Sequence, residues 1–132
     1  MKNELSFMLI DDDHVFNFIH RKQIEKFELS KSIKSFESPL RALHFLKNLS
    51  LENIPDIIFL DINMPELNGF AFLEKLKQER VELLNHLNVF VVTSSLNPED
   101  YAASKSFECI KGYYNKPIDL EKIMMTVNWI LT

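Results

Sequence analysis

The chain alternates short apolar runs with amphipathic stretches. Residues 5–10, 57–60 and 89–92 form compact, mostly apolar runs, which are typical of buried strands. Weaker runs at 32–36 and 109–113 complete a set of five predicted strands. After each strand, apolar residues recur every three or four positions, a spacing that predicts a helix. The pattern therefore predicts five strand–helix units in succession.

Start signals and apolar stripes set the approximate limits of the helices. Ser38-Pro39 supplies an N-cap and a first-turn proline for the second helix, and Pro98 opens a short fourth helix. The third helix is predicted to run from Phe70 to about Arg80. The fifth begins after Ile118, and its predicted core stripe consists of Leu120, Ile123, Met124, Val127 and Leu131.

Apolar strands joined by helical crossovers predict an α/β fold. We expect a five-stranded parallel sheet, doubly wound, with helices on both faces in a three-layer sandwich. The length of 132 residues fits a single domain over 1–132 with no room for an output domain. The apolar content of 46% excludes a disordered chain and is sufficient for a core without covalent cross-links.

Composition excludes several classes of function. The single cysteine, Cys109, rules out a disulfide framework and a Cys-based zinc site, and it fits a reducing, cytoplasmic location. The two glycines, Gly69 and Gly112, are too few for a G-x-G-x-x-G turn or a Walker loop. The net charge of −4 argues against nucleic-acid binding. No apolar run is long enough for a signal peptide or for membrane insertion.

Chemically active side chains follow four of the five predicted strands. Asp11 and Asp12 follow the first strand, Asp61 the third, Thr93 the fourth and Lys116 the fifth. Because ligands bind beyond the carboxyl ends of parallel strands, these side chains are expected in one pocket. Crowded carboxylates repel one another unless a cation neutralises them, and oxygen ligands without His or Cys favour Mg²⁺.

A carboxylate beside Mg²⁺ can act as a nucleophile toward phosphorus. Asp61, alone on the central strand, is the predicted nucleophile, and the Asp11–Asp12 pair is the predicted metal cage. Lys116 and the Thr93 hydroxyl would supply charge and a hydrogen bond to the equatorial oxygens of the transferred group. The residues thus predict magnesium-dependent phosphorylation of an aspartate.

Four segments together resemble the receiver domains of bacterial two-component response regulators, in the order and spacing of that family. They are 9–13 (LIDDD), 55–69 (PDIIFLDINMPELNG), 91–94 (VVTS) and 112–117 (GYYNKP). The resemblance covers essentially the whole chain. It implies a flavodoxin-like (βα)5 fold and a stand-alone receiver similar to the chemotaxis regulators.

The resemblance also implies a role for each pocket residue. Asp61 would be the phosphoacceptor, and the backbone carbonyl of Asn63 would join Asp11, Asp12 and Asp61 around Mg²⁺. Thr93 and Lys116 would hold the phosphoryl group.

The resemblance also suggests which residues change position on phosphorylation and which set the lifetime of the phosphorylated state. Tyr113 matches the family's aromatic switch, which turns inward when Thr93 is drawn toward the phosphate. Asn63 and Ser95 resemble the residues that tune the lifetime of the phosphorylated state. The peptide bond that corresponds to Lys116–Pro117 is typically cis in this family.

Several of these residues have simpler interpretations. Asp13 is interpreted as a helix cap or a charge at the edge of the pocket. Ser94 could replace Thr93, and Tyr113 could be an ordinary core aromatic. His20 lies on the apolar stripe of the first helix and is interpreted as a core residue, and the histidines have no metal-ligand spacing.

Apolar residues outside the helix stripes suggest partner surfaces. Phe18 lies opposite the stripe of the first helix, and we hypothesise that it forms a kinase-docking patch with Val15. Met125 and Trp129 are hypothesised to form, with Tyr101, a face recognised in only one phosphorylation state. Partial burial by a neighbouring loop is the simpler alternative for such scattered residues.

The predicted function is a phosphorylation-dependent switch in a two-component phosphorelay. The chain would accept a phosphoryl group from a sensor histidine kinase or a histidine phosphotransfer protein and signal through altered contacts with an unknown output protein. It would catalyse only its own phosphorylation and dephosphorylation, as a monomer or a weak phosphorylation-dependent dimer.

Two alternatives remain at this stage. The first is a receiver-like module that binds partners without phosphorylation. The second is an aspartate-nucleophile phosphohydrolase of the haloacid-dehalogenase type. Such enzymes use a second Asp two residues after the nucleophile, where this chain has Asn63, and no cap domain fits the length.

Overall fold

The computed structural model of the protein describes residues 4–28 and 30–132, and there it confirms the predicted alternation of strands and helices. The strands are β1 (Leu5–Ile10), β2 (Ser30–Phe36), β3 (Ile57–Leu60), β4 (Val89–Thr93) and β5 (Ile110–Asn115). The helices are α1 (His14–Glu25), α2 (Pro39–Lys47), α3 (Gly69–Leu84), α4 (Pro98–Ser104) and α5 (Leu120–Leu131). A single 3₁₀ turn over Leu51–Asn53 precedes β3.

All strand pairs of the sheet are parallel, in the order β2-β1-β3-β4-β5. The chain therefore moves outward from β1 to β2 and then returns past β1 to β3. In sheets of this kind, ligands bind in the crevice where the direction of winding reverses, here between the carboxyl ends of β1 and β3. Ile10 pairs with Leu60 in the register of these strands, and the Asp61 N–H donates to the Ile10 carbonyl at 2.9 Å. The residues that follow β1 and β3 are thus held side by side.

The core has one layer on each face of the sheet. Alternate residues of β1 and β3 supply both layers, which explains why their sequences are mostly apolar rather than alternating. On one face, Met8, Ile10, Ile58 and Leu60 pack with Leu46 of α2 and Leu73 and Leu76 of α3. On the other face, Phe7, Leu9, Ile57 and Phe59 pack with Ile24 of α1 and Ile123 and Val127 of α5.

Predicted caps are present at the starts of two helices. The Asp13 carboxylate accepts a hydrogen bond from the Val15 N–H at 2.9 Å, and the Ser38 hydroxyl accepts one from the Arg41 N–H at 3.2 Å. Each cap satisfies a backbone donor that has no partner within its helix.

The third and fifth helices differ from the sequence prediction. α3 continues to Leu84, and Arg80, where we expected it to end, interrupts the helix with φ −150° and ψ 68°. The core stripe predicted for α5 is wrong at Leu120 and Leu131, which are exposed. These are the terminal residues of α5, and its buried face consists of Ile123, Thr126 and Val127.

The interruption at Arg80 coincides with contacts to the end of α2. The Arg80 guanidinium donates to the carbonyl oxygens of Leu46, Lys47 and Leu49 and pairs with the Glu82 carboxylate. It therefore ties α3 to the carbonyl groups at the end of α2 and just beyond it. Within the described ranges, 4–28 and 30–132, no helix has the length and apolar character needed to cross a membrane.

Candidate functional site

Three carboxylates meet at the carboxyl ends of β1 and β3. Asp11, Asp12 and Asp61 each offer an oxygen atom, and these three atoms lie within 4.8 Å of one another. Asp11 and Asp61 are buried, with exposed fractions of 5% and 3%, whereas Asp12 is exposed. The structure thus brings the predicted acidic residues together with one carboxylate open to solvent.

Burial makes ionisation of the two inner carboxylates unfavourable. Burial, and then the neighbouring charge of Asp11, raise the pKa of Asp61 to about 6. Burial also raises the pKa of Asp11, although its hydrogen bond to Lys116 acts in the opposite direction. Both ionised forms are therefore less stable than they would be in water, which is a condition that a bound cation would relieve.

Lys116 lies between the two buried carboxylates. Its Nζ atom is 2.8 Å from Asp11 Oδ2 and 3.4 Å from Asp61 Oδ2. Burial lowers the pKa of this ammonium, but the hydrogen bond to Asp11 and the charge of Asp61 outweigh burial, so the pKa is raised overall. Lys116 is therefore a firmly charged donor within the site.

Backbone hydrogen bonds shape the two acidic loops. The Asp13 N–H donates to Asp11 Oδ1 at 2.9 Å, and the Asn63 N–H donates to Asp61 Oδ1 at 3.2 Å. Each bond fixes one oxygen of a buried carboxylate and leaves the other for Lys116. Asn63 is exposed, and the role of its carbonyl as a metal ligand stays a prediction.

Gly69 keeps the loop after β3 close to Asp61. Its N–H donates to the Ile62 carbonyl at 3.0 Å. A Cβ at this position would lie 2.7 Å from the Asp61 carbonyl oxygen and 2.8 Å from Ile62 Cα. Because these neighbours are backbone atoms, a side chain here would displace the loop that carries Asp61.

The donor set fits Mg²⁺. It consists of carboxylate oxygens from Asp11, Asp12 and Asp61, which are hard ligands. Burial raises the pKa of Asp11 and of Asp61, and the charge of a divalent cation would oppose that shift. One exposed member leaves room for water and a phosphate oxygen, which Mg²⁺ retains in most protein sites.

Thr93 and Lys116 are connected through neighbouring strands. The Lys116 N–H donates to the Thr93 carbonyl at 2.9 Å, and the Lys116–Pro117 peptide bond is cis, as the resemblance implied. Thr93 is fully buried, whereas the alternative residue Ser94 is exposed. The Thr93 hydroxyl accepts a hydrogen bond from the Ser95 N–H at 3.0 Å.

Tyr113 contacts the segment that follows β4. Its ring lies edge-on against Tyr101 of α4 at 5.2 Å between centroids, and its hydroxyl oxygen is buried. Burial, and then the Asp100 carboxylate, raise the pKa of Tyr113, and nearby Ser95 partly offsets them. The Ser95 hydroxyl donates to Asp100, and the Tyr113 hydroxyl has no hydrogen bond of good geometry among the described residues. Whether Tyr113 changes position with phosphorylation stays a prediction.

Sequence reasoning missed a set of supporting contacts from α1. The Asn17 side-chain amide donates to the Asp11 carbonyl at 2.9 Å. His20 Nε2 accepts from the Ile118 N–H at 3.3 Å, and the Phe16 ring lies 4.4 Å from Lys116 Nζ. The signal in the sequence was the place of His20 on the apolar stripe of the helix, with Asn17 three residues before it.

The residues of the hypothesised partner faces are all about half-exposed. Their exposed fractions are 50% for Val15, 59% for Phe18, 48% for Tyr101, 54% for Met125 and 53% for Trp129. Lys22 lies over the Phe18 ring at 5.5 Å, and the Trp129 ring meets Phe90 edge-on at 6.0 Å. These positions are available to partners, and their roles stay predictions.

The chain that carries this site is similar to known proteins in both sequence and structure. The chain matches the response regulator receiver domain family over residues 7–128. It is 30% identical over 122 residues to the polar-differentiation response regulator DivK of Brucella ovis, and the match covers 92% of each protein. The crystal structure of a two-component response regulator from Cytophaga hutchinsonii gives a TM-score of 0.89 at 31% identity, covering 97% of this chain and 98% of that one.

Other relatives are much longer. The chain is 33% identical over 125 residues to an Arabidopsis thaliana protein named as a two-component response regulator, but it spans only 20% of that protein's length. The similarity therefore concerns one part of that protein.

The chain belongs to the response regulator receiver domain family, which confirms the resemblance seen in the sequence. Members of this family bind Mg²⁺ at an acidic pocket and interact with histidine kinases or phosphotransfer proteins and with output partners.

Proposed function

We propose that this chain is a magnesium-dependent switch that accepts a phosphoryl group on Asp61. The donor would be a phosphohistidine of a sensor histidine kinase or a histidine phosphotransfer protein. The observation that carries the proposal is the position of Lys116, whose ammonium lies 2.8 Å from Asp11 and 3.4 Å from Asp61. A fixed positive charge beside a buried carboxylate is suited to bind the oxygens of a transferring phosphoryl group.

The proposed transfer is a direct displacement at phosphorus. The Asp61 oxygen forms a bond to phosphorus, the bond from phosphorus to the donor imidazole nitrogen breaks, and its electron pair stays with that nitrogen. With the pKa of Asp61 raised to about 6, the carboxylate is mostly ionised near neutral pH and is available as a nucleophile. Lys116 shifts its hydrogen bonds to the new phosphoryl oxygens, and Thr93 contributes its hydroxyl.

Asp11, Asp12 and Asp61 would hold Mg²⁺, together with the Asn63 carbonyl. When bound, the ion supplies positive charge to the phosphoryl oxygens. Asp11 and Asp12 would hold the ion next to Asp61, and Lys116 adds a fixed charge of its own beside Asp61.

In this proposal, phosphorylation alters the output surface through the hydrogen bonds that link Thr93 to α4. A phosphoryl group that draws the Thr93 hydroxyl toward it would remove the acceptor of the Ser95 N–H, because that hydroxyl now accepts from Ser95. Ser95 in turn donates to Asp100 of α4, beside the buried Tyr113 hydroxyl. A change of position there would alter the exposed face near Tyr101 and thereby the contact with an output protein.

The direct test is the intact mass of the protein after incubation with acetyl phosphate. We expect a gain of one phosphoryl group that needs Mg²⁺, is labile to hydroxylamine and is absent in Asp61→Asn. Asp56→Asn is a suitable control, because Asp56 precedes β3 and its carboxylate accepts from the Ser6 N–H at 2.8 Å. Retention of the adduct in Asp61→Asn would contradict the proposed acceptor.

The intact mass, together with the phosphate released in the same incubation and in one with a simple phosphomonoester, separates the alternatives. A phosphate-independent module would form no adduct and release no phosphate. A phosphohydrolase would turn over simple phosphomonoesters, and the exposed Asn63 offers no acid for that reaction. We propose that the chain catalyses only its own phosphorylation and dephosphorylation. The cytoplasmic location stays a prediction.

A further inference from the structure

The ammonium of Lys116 rests on a pair of stacked rings from α1. Lys116 Nζ lies 4.4 Å from the centre of the Phe16 ring. The Phe16 ring stacks on the His20 ring, with centroids 5.9 Å apart and an angle of 28° between planes. A cation over an aromatic face is attracted by the negative charge of that face, so the contact favours one position of the ammonium.

The far end of this stack is fixed to the backbone of the lysine loop. His20 Nε2 accepts a hydrogen bond from the Ile118 N–H at 3.3 Å, across 98 positions of sequence. His20 and Ile118 are both buried, with exposed fractions of 3% and 1%. A buried backbone N–H without a partner is costly, so this bond ties the position of the segment 116–118 to α1.

The imidazole is suited to this role because it is neutral. Burial, and then the positive charge of Lys116, lower the pKa of His20 to about 4. Near neutral pH the ring therefore carries one proton, and Nε2 is free to accept from Ile118 when that proton is on Nδ1. A protonated imidazole would have no acceptor and would repel the ammonium.

Lys116 is held by contacts from several elements besides its two ion pairs. Its side chain has several rotatable bonds, and its ammonium must stay between Asp11 and Asp61. The Thr93 carbonyl holds only the Lys116 N–H, at the start of the loop. The ring stack and the Ile118 hydrogen bond supply the remaining constraints, on the ammonium and on the end of the loop.

We infer that His20 and Phe16 are positioning residues for Lys116, and that α1 thereby sets the geometry of phosphoryl transfer at Asp61. The consequence for transfer rests on the proposed function, whereas the geometry of Lys116 does not. Neither ring touches the reacting atoms in this account, so their effect acts through the lysine.

The geometry is tested by NMR on the metal-free protein. Protons above the face of an aromatic ring resonate upfield. The Lys116 Hε signals should therefore be shifted upfield in the wild type, and the Lys116→Arg variant, which lacks them, identifies these signals in the spectrum. Phe16→Leu should abolish that shift. His20→Leu should reduce it and should speed hydrogen exchange of the Ile118 amide by roughly tenfold or more. His20→Gln should restore both signals, because its side-chain oxygen can reach the place of Nε2.

The consequence for transfer is tested by the rate of phosphorylation with acetyl phosphate and Mg²⁺. We expect His20→Leu to lower the rate constant roughly 5- to 20-fold, because misplacement of a charged group in a transfer site is costly. The affinity for Mg²⁺ should stay within about twofold, since the carboxylates are retained. His20→Gln should recover most of the rate, and His44→Leu, at an exposed histidine, should not change it.

The two measurements distinguish the possible failures. Wild-type Lys116 signals and a wild-type rate in a folded His20→Leu protein would overturn the inference. Equal loss in His20→Gln and His20→Leu would also overturn it, because the hydrogen bond would then not be the cause. If the wild type takes no phosphoryl group but the Lys116 signals respond as expected, the proposed function fails and the positioning by α1 stands. If His20→Leu does not fold, Phe16→Leu and His20→Gln decide by the same signals.

Discussion

Replacement of Asp61 by Asn is expected to stabilise the metal-free protein. Burial and the charge of Asp11 raise the pKa of Asp61 from 3.8 to about 6. At about 1.36 kcal/mol per pKa unit, this difference means that keeping Asp61 ionised costs about 3 kcal/mol of folding free energy. The Asn side chain removes the charge and keeps an acceptor for the Asn63 N–H, so we expect a gain of about 1–3 kcal/mol near neutral pH.

The pH dependence has a definite sign. Because the folded-state pKa of Asp61 is raised, the folded protein binds more protons than the unfolded chain between about pH 4 and pH 6. The contribution of this group to stability therefore falls as the pH rises through that window, and its full cost is present above about pH 6. The advantage of Asp61→Asn should be largest near neutral pH and should vanish toward about pH 4.

The assay is urea unfolding of both proteins with a chelator, at several pH values. Asp12→Asn is the matched control: Asp12 belongs to the same cluster but is exposed, so its removal should gain less than about 1 kcal/mol. Added Mg²⁺ should stabilise the wild type more than Asp61→Asn, since the variant lacks one carboxylate ligand. Equal stability of the wild type and Asp61→Asn near neutral pH, or a difference that persists unchanged to about pH 4, would refute the reasoning.

Three further predictions concern the loop at Gly69 and the two partner faces. Gly69→Ala should lose about 1–3 kcal/mol in urea unfolding, because its Cβ would lie 2.7 Å from the Asp61 carbonyl oxygen; an unchanged midpoint would contradict this. Phe18→Ala should slow transfer from the cognate kinase about tenfold without affecting the rate with acetyl phosphate, whereas Leu96→Ala, at an apolar residue that is even more exposed, should leave both rates unchanged. Trp129, which packs edge-on against Phe90, should change its fluorescence on phosphorylation; constant emission would count against the face that includes it.

The sheet and its reactive edge could be predicted because their signals are local. β1, β3 and β4 are covered on both faces, so their sequences are mostly apolar and their limits are clear. In a parallel sheet, the residues after each strand lie at the same edge, which places Asp11, Asp61 and Lys116 together. The structure shows Lys116 in contact with both Asp11 and Asp61.

The contacts that support the site could not be predicted, because they join distant parts of the chain. The partner of His20 is Ile118, and a histidine on an apolar stripe gives no sign of which backbone group it binds. Arg80 has the spacing of an ordinary helical residue, yet it leaves the helix to bind the end of α2. Leu120 and Leu131 fit the helical spacing of apolar residues in α5, but they lie at the two ends of the helix and are exposed. The spacing alone could not show that the core stops before them.

The most direct test of the central claim is to locate the phosphoryl group. The protein is incubated with acetyl phosphate and Mg²⁺, reduced with borohydride, which converts a phosphorylated aspartate to homoserine, and digested for peptide mass spectrometry. The account predicts homoserine at position 61 and at none of the other acidic residues of the pocket, Asp11, Asp12 and Asp13. Homoserine at one of those positions, or its formation at 61 without Mg²⁺ at the same yield, would contradict the account.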